Sequence, residues 1–195
     1  MYHLGIPDHE FIRGKTPMTK EEIRILTIAK AQINPDSIIW DVGAGTGSLS
    51  IEAALSALNG HVYAIERNRE GIDLIQQNAA KFKAKNLTAI LGEAPSALLD
   101  LPSCDVAFIG GSGGKLSEIL TFIDDKLKVG GRLIINAITI ETMYEALQFL
   151  KETENYSYNT FSAQITRFDA IGRYHMGKAQ NPITIISCTK LKNRR

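Results

Sequence analysis

The stretch SIIWDVGAGTG, residues 37–47, decides the fold of this 195-residue chain. Residues 37–42 form a short apolar run of the kind found in buried parallel strands. Residues 43–47 then place three glycines where the chain must turn, and a segment rich in alanine and leucine follows. Glycines in such a turn let the backbone approach a ligand closely, and the next helix offers free amides at its N-terminal end. This stretch therefore predicts a strand, a ligand-binding turn and a helix.

The same alternation continues along the chain. Further strands are predicted over residues 61–65, 87–91, 105–109 and 132–136, with helices over residues 19–31, 69–83, 116–128 and 140–150. Thr19 is placed to cap the first of these helices. Residues 156–167 and 182–190 both resemble strands and have no helical pattern between them, which indicates an antiparallel pair closing an otherwise parallel sheet.

Acidic residues follow two further strands in the order that a cofactor site requires. Glu66 ends the second strand, where a carboxylate can accept hydrogen bonds from both hydroxyls of a ribose. Glu93 and Ala94 follow the third strand, where methyltransferases contact an adenine. A dinucleotide site would instead read G-x-G-x-x-G, and Ser48 occupies the position of its third glycine. The pattern favours S-adenosyl-L-methionine as cofactor. The candidate contacts are Asp41, Gly43, Ala44, Gly45, Thr46, Gly47, Glu66, Glu93 and Ala94.

These features together predict an α/β fold of the Rossmann-like class I methyltransferase kind. It has a seven-stranded, mostly parallel sheet with an antiparallel last strand and helices on both faces. One domain is expected over residues 1–195, with residues 1–35 forming an N-terminal segment and helix that cover the active site.

Composition and charge narrow the function classes. Hydrophobic residues make up 44% and charged residues 22% of the chain, as in soluble globular enzymes. A formal net charge of +1 gives no reason to expect nucleic acid or an anionic membrane as partner. Cys104 and Cys188 are too few and too far apart for a disulfide framework or a zinc site. Neither a secretory signal nor a membrane-spanning run occurs, so we expect a cytoplasmic protein.

The substrate side is marked by a second glycine loop. Residues 110–114 follow the fourth predicted strand and leave an open wall at Gly111, Ser112 and Gly113 for a bulky substrate. The position of Lys115 does not fit a phosphate-binding loop. Basic side chains flank two segments without helical period, residues 14–18 and 171–181. They are Arg13, Arg167, Arg173, His175 and Lys178, and they indicate an anionic substrate. Neither a Ser-His-Asp set nor a metal cluster is present, so no catalytic residue is assigned.

Several stretches resemble one family closely. They are Gly5-Ile6-Pro7-Asp8, Pro17-Met18-Thr19-Lys20-Glu21-Glu22-Ile23-Arg24 and the two glycine loops, and they resemble the decarboxylating precorrin methyltransferases of cobalamin synthesis. The resemblance implies methylation of carbon 15 of a tetrapyrrole, loss of carbon dioxide from the acetate arm at carbon 12, and a homotetramer. It also places cofactor contacts on Thr19, residues 43–47, Glu66 and Ala94. Glu66 and Glu93 stand where aspartate is common in the family.

Other functions remain open from the residues alone. The nearest alternative is a tRNA or protein-carboxyl methyltransferase of the same fold, although RNA would call for a broader basic surface. A more remote one is an NAD-dependent oxidoreductase, against which the glycine spacing and the paired terminal strands argue. A cofactor-binding module without turnover is a third. Whether the substrate carries cobalt, and whether methylation precedes decarboxylation, is left open.

Overall fold

A computed structural model describes residues 4–192 of the chain. The helices are α1 Glu21–Ala31, α2 Ser48–Ser56, α3 Arg69–Phe82, α4 Leu116–Lys126 and α5 Ile140–Thr153, with short 3-10 helices at Asp8–Glu10 and Ser96–Leu98. The strands are β1 Ile38–Val42, β2 His61–Glu66, β3 Leu87–Leu91, β4 Cys104–Ile109, β5 Leu127–Ala137, β6 Tyr156–Ala163, β7 Thr166–Ile171, β8 Tyr174–Ala179 and β9 Ile183–Lys190.

Seven of these strands form one sheet in the order β3-β2-β1-β4-β5-β9-β6. The pairs from β3 to β5 are parallel, and β9 runs antiparallel to both β5 and β6. This confirms the predicted fold class, including the antiparallel last strand. The strand order reverses between β1 and β4. A crevice opens at the carboxyl ends of the strands at such a reversal, and ligands bind there in folds of this type.

The core lies on both faces of the sheet because neighbouring strand residues point to opposite sides. Trp40, Leu133 and Ile135 pack under α4 and α5. Ile39 and Ile134 pack with α1 and α2 on the other face. Burial on both faces explains why the strands read as continuous apolar runs. No helix within residues 4–192 has both the length and the apolar character needed to cross a membrane.

The N-terminal segment is fixed to the domain by a buried arginine. Arg24 of α1 has no exposed surface, and its guanidinium donates to Asp8 at 3.0 Å, to Glu52 at 2.7 Å and to the Thr19 carbonyl at 2.6 Å. It also donates to the carbonyl of Ile6. A fully buried guanidinium needs this complete set of acceptors. The network therefore anchors residues 5–8 to α1 and α2.

Three local predictions are wrong. Helix α1 begins at Glu21 rather than at Thr19, and its N-cap, Lys20, makes no side-chain capping bond. The strand predicted over residues 156–167 breaks after Ala163. Residues 171–181, predicted as an irregular loop, instead contribute β8, which pairs with β7 in a separate two-stranded sheet.

The β7–β8 hairpin could not be predicted from the sequence, because its residues do not show the pattern of buried and exposed positions that marks a strand. Every residue of β7 and β8 except Arg167 is exposed, so there is no apolar and polar alternation to read. The hairpin turns at residues 172–173, where Gly172 has a φ of +60°. Glycine is favoured at the first position of such a two-residue turn.

Candidate active site

The turn after β1 brings the two glycine loops into contact. The amides of Gly43 and Ala44 both donate to the carbonyl of Ile65 at 3.0 Å, which holds the turn over the end of β2. Gly43 has a φ of +75°, and a Cβ added there would lie 2.5 Å from the carbonyl oxygen of Gly111. Only glycine fits such a position, so the close approach of the loops depends on Gly43.

Glu66, at the end of β2, holds its carboxylate in one orientation. Its Oε2 accepts the amide of Gly45 at 2.9 Å, and its Oε1 accepts the amide of Asn68 at 2.8 Å. The side chain lines the cavity described below and is 6% exposed. A carboxylate oxygen has two lone pairs. One on each oxygen therefore remains for a ligand with two adjacent hydroxyls.

Gly71 makes room for this carboxylate and was missed at the sequence level. A Cβ at Gly71 would lie 2.6 Å from the Cγ of Glu66 and 3.0 Å from the carbonyl oxygen of Gly45. The signal was available, because a glycine inside a helix interior is costly and points to a close approach. The helix predicted over residues 69–83 has its only glycine at position 71.

Asp41 lies behind the glycine turn rather than in the cavity. It is 2% exposed and accepts a hydrogen bond from the hydroxyl of Ser50. Burial raises the pKa of the Asp41 carboxyl to about 6, and the negative charge of Glu66 adds to the rise, while the bond from Ser50 opposes it. Asp41 therefore links β1 to α2 beneath the turn.

Thr46 and Gly47 also support the turn from behind. Thr46 is 1% exposed, and within residues 4–192 its hydroxyl has no hydrogen-bond partner. Its carbonyl accepts the side-chain amide of Asn78 at 3.0 Å, and that amide also bonds both the N–H and the carbonyl of Ile12. A Cβ at Gly47 would lie 2.9 Å from Ile75 of α3. Asn78 thus joins the N-terminal segment to the turn.

The carboxylate of Glu93 faces two cations at the outer end of the site. Its Oε2 lies 2.8 Å from the Nζ of Lys115, and its Oε1 lies 4.0 Å from a guanidinium nitrogen of Arg67. The hydrogen bond from Lys115 lowers the pKa of Glu93 and raises that of Lys115. These contacts join the end of β3 to the second glycine loop, where a Cβ at Gly113 would lie 2.8 Å from Arg67.

A cavity of about 610 Å³ opens between these elements at the carboxyl edge of the sheet. Ten of the predicted site residues line it: Thr19, Gly43, Ala44, Gly45, Glu66, Glu93, Ala94, Gly111, Ser112 and Gly113. Eight others are not part of its wall: Asp41, Thr46, Gly47, Arg13, Arg167, Arg173, His175 and Lys178. The structure thus brings seven of the ten predicted cofactor contacts to one cavity and leaves the predicted basic substrate contacts outside its wall.

The predicted substrate cations have other surroundings. Arg167 donates to both carboxylate oxygens of Glu22, at 2.9 and 2.7 Å, and lies 3.4 Å from Asp8. Its pKa is raised by Glu22, and that of Glu22 is lowered in return. Arg173 lies over the ring of Tyr174 in the exposed hairpin, which also carries His175 and Lys178. Arg13 is exposed in the N-terminal segment. Arg167 is therefore a tether of the hairpin to α1.

Sequence reasoning missed another part of the wall. Asn136 lies near the end of β5, Ile138 follows that strand, and Gln180 and Asn181 precede β9. Asn136 ends a predicted strand, so its position at the carboxyl edge could have been inferred in the same way as that of Glu66. Lys20 also lines the cavity. These residues give the cavity a second polar region, away from Glu66 and Glu93.

Ionisable groups suited to acid-base or metal chemistry are few in the cavity wall. Within residues 4–192 no cluster of three or more His, Cys, Asp or Glu side chains could hold a metal ion. Both cysteines are buried outside the wall, and burial raises the pKa of each thiol to about 12. The carboxylates of the wall are Glu66 and Glu93, and neither faces the second polar region. The site can bind and orient ligands rather than move protons.

Comparison with known proteins identifies close relatives. The family model described as the precorrin methyltransferase domain matches residues 10–190. A protein of Sulfurisphaera tokodaii is 42% identical over 93% of this chain and 95% of its own length. It is described as a probable cobalt-precorrin-6B C(15)-methyltransferase (decarboxylating).

Two solved structures superpose closely. A precorrin-6y C5,15-methyltransferase from Geobacter metallireducens has a TM-score of 0.90 and 39% identity, over 96% of this chain and 98% of that one. The precorrin 8w decarboxylase of Methanobacterium thermoautotrophicum has a TM-score of 0.89 and 39% identity, over 95% and 100%.

Proposed function

The chain belongs to the precorrin methyltransferase family, and we propose that it acts in cobalamin biosynthesis. Its substrate is a cobalt-precorrin or precorrin tetrapyrrole. The protein methylates carbon 15 of this substrate and removes the carboxylate of the acetate arm at carbon 12 as carbon dioxide. The names of relatives at about 40% identity support both halves of this reaction. The conclusion rests on one structural observation. One cavity contains both Glu66, whose fixed carboxylate can accept hydrogen bonds from two adjacent hydroxyls, and the open glycine wall at residues 110–113.

S-adenosyl-L-methionine fits the first part of this cavity. Glu66 has lone pairs free for the ribose hydroxyls, and Glu93 and Ala94 lie where the adenine would be held. Gly43, Ala44 and Gly45 provide a turn that approaches closely to the methionine portion, and Thr19 lines the same space. When bound, this cofactor supplies an electrophilic methyl group on a sulfonium and leaves as an uncharged thioether.

A large planar substrate fits the second part. Gly111, Ser112 and Gly113 contribute little side-chain bulk to the wall. Ile138 lines the cavity yet is 64% exposed, so it offers an apolar surface at the mouth for the face of a macrocycle. An exposed apolar side chain beside a cavity is a common sign of ligand contact.

In this mechanism the protein acts by holding the cofactor and the substrate in the orientation that methyl transfer requires. Its backbone turn and Glu66 hold one reactant, and the wall formed by residues 110–113 and Ile138 holds the other, so that a nucleophilic ring carbon faces the methyl group. Orientation of two reactants can account for about 7–11 kcal/mol of a barrier. Decarboxylation needs an electron sink, which the conjugated substrate itself supplies. Loss of carbon dioxide leaves a nucleophilic methylene on the substrate arm, and this carbon then takes up a proton from solvent at the open mouth of the cavity to become a methyl group.

Labelled-methyl transfer tests the proposal. The protein should transfer label from S-adenosylmethionine to a cobalt-precorrin and release carbon dioxide, and it should leave bulk tRNA unlabelled. Glu66→Ala should lose cofactor affinity for S-adenosylmethionine and S-adenosylhomocysteine alike, because both carry the same ribose. Label in tRNA and none in the tetrapyrrole would instead support the RNA methyltransferase alternative.

A homotetramer is part of the same proposal. The β7–β8 hairpin exposes Phe168, Tyr174 and Met176, at 69%, 60% and 59% of their surfaces. Large exposed apolar side chains of this kind mark protein interfaces. Light scattering should give the mass of four chains, and Phe168→Ser combined with Met176→Ser should lower it. A monomer at micromolar concentration would contradict this assembly.

A further inference from the structure

The cavity has two regions of opposite character. Glu66 and Glu93 follow β2 and β3, and they make the first region acidic. The second region lies at the end of β5 and before β9, and its polar side chains are Asn136, Gln180 and Asn181. The glycine loops after β1 and β4 separate the two regions, because these strands lie between β2 and β5 in the sheet.

Lys20 also lines this cavity. It immediately precedes α1, which packs on β5 and β9. Thr27 of α1 donates its hydroxyl hydrogen to the carbonyl of Ile23 at 2.7 Å, and it accepts the side-chain amide of Asn136 at 3.1 Å. A hydroxyl has only one hydrogen, so these bonds orient the Asn136 amide. Helix α1 therefore carries Lys20 at its N-terminal end and positions Asn136 through Thr27, about two turns further along.

Two cations line the cavity, and they differ in their surroundings. Arg67 lies 4.0 Å from Glu93 in the acidic region. The ammonium group of Lys20 has no hydrogen bond or ion pair with any side chain of residues 4–192. Lys20 is half-buried, and no side chain of the described residues provides a counter-charge for it.

Three of the acids near α1 are engaged by arginines and are therefore not available to Lys20. Glu22 binds Arg167 at 2.7 Å, and Glu52 binds the buried Arg24 at 2.7 Å. Asp8 lies 3.0 Å from Arg24. The adjacent Glu21 makes no ion pair with Lys20. A positive charge in a ligand cavity, kept free of the acids around it, is suited to an anionic group of a ligand.

We propose that Lys20 binds a side-chain carboxylate of the tetrapyrrole substrate and thereby sets its orientation at the glycine wall. This inference rests on the proposed function and deepens it by assigning substrate recognition. The proposal assigns the binding of a substrate carboxylate to Lys20 rather than to the exposed cations of the hairpin, which lie outside the cavity wall. Asn136, Gln180 and Asn181 then complete the polar surroundings of the bound carboxylate.

The test compares a neutral variant of Lys20 with a matched control. Lys20→Met removes the charge and keeps most of the stem, and Lys20→Arg keeps the charge. Lys85→Met makes the same charge change at an exposed site between α3 and β3, outside the cavity wall. Each protein is titrated with a corrin bearing free side-chain carboxylates, with its methyl ester, and with S-adenosylhomocysteine.

Lys20→Met should weaken binding of the acid corrin about 10- to 100-fold, the range for one hydrogen bond between charged groups. Binding of the ester and of S-adenosylhomocysteine should match wild type. Lys20→Arg should restore most of the affinity, and Lys85→Met should change nothing. In turnover, Lys20→Met should raise the KM for the tetrapyrrole with little change in kcat. Lys20→Gln serves as a second neutral variant if Lys20→Met folds poorly.

Two results would overturn the assignment. Wild-type affinity of both neutral variants for the acid corrin would show that Lys20 does not hold a carboxylate of the substrate. Equal weakening of S-adenosylhomocysteine would place Lys20 on the amino-acid carboxylate of the cofactor instead. If wild type methylates the precorrin and the variants keep its KM, this inference alone fails. If wild type does not methylate it, the proposed function fails.

Discussion

Replacing Gly71 by alanine should weaken cofactor binding, although the same change inside a helix normally stabilises a protein by about 0.5–1 kcal/mol. The new Cβ would lie 2.6 Å from the Cγ of Glu66 and 3.0 Å from the carbonyl oxygen of Gly45. Carbon atoms in contact prefer about 3.5–4.0 Å. The Glu66 side chain must therefore move by about 1 Å, which breaks its bonds of 2.9 and 2.8 Å from the amides of Gly45 and Asn68.

Losing the fixed carboxylate should cost about 1.5–3 kcal/mol of binding free energy, the range for hydrogen bonds to a charged group. Titration calorimetry should then give a Kd for S-adenosylhomocysteine about 10- to 150-fold above wild type. Gln76→Ala, on the exposed face of the same helix, is the control and should bind normally. Unchanged affinity of the Gly71→Ala protein, together with raised stability, would refute this role of Gly71.

Three further changes test the supports of the site. Asp41→Asn should alter the pH dependence of stability. The raised pKa of about 6 makes the wild-type folded state prefer the protonated acid, so its advantage over the variant should fall by about 3 kcal/mol as pH rises from about 4 to 7, in urea titrations. Asn78→Ala should cost about 2–3 kcal/mol in the same assay and weaken S-adenosylhomocysteine, because the buried backbone groups of Ile12 lose their partner. Gly43→Ala should abolish cofactor binding in calorimetry, whereas Gly130→Ala, at a φ of +81° with no atom within 4 Å of the new Cβ, should leave it intact.

Much of the fold and of the cofactor site could be predicted from the sequence because both follow from local patterns. The central strands β1 and β4 are buried on both faces, so each is a short apolar run followed by a glycine turn. Their carboxyl ends meet at one edge, which places Glu66 and Glu93 at a single cavity from their positions alone.

The substrate side could not be predicted in this way. The sequence predicts substrate contacts at basic residues without helical period, and this stays a prediction, because the pairing of a charged side chain depends on neighbours distant in sequence. Arg167 meets Glu22, 145 positions away, and the charge left free in the cavity is that of Lys20. The β7–β8 hairpin was equally hidden, since cross-strand hydrogen bonds hold it and none of its apolar side chains is buried.

Mass spectrometry of the reaction product tests the central claim most directly. The purified protein is incubated with a cobalt-precorrin-6B and S-adenosylmethionine carrying an isotope-labelled methyl group, with boiled protein as control. The account predicts one tetrapyrrole product that has gained one labelled methyl group and lost one carboxyl group as carbon dioxide. An unchanged tetrapyrrole, under conditions in which the protein binds S-adenosylmethionine, would contradict it.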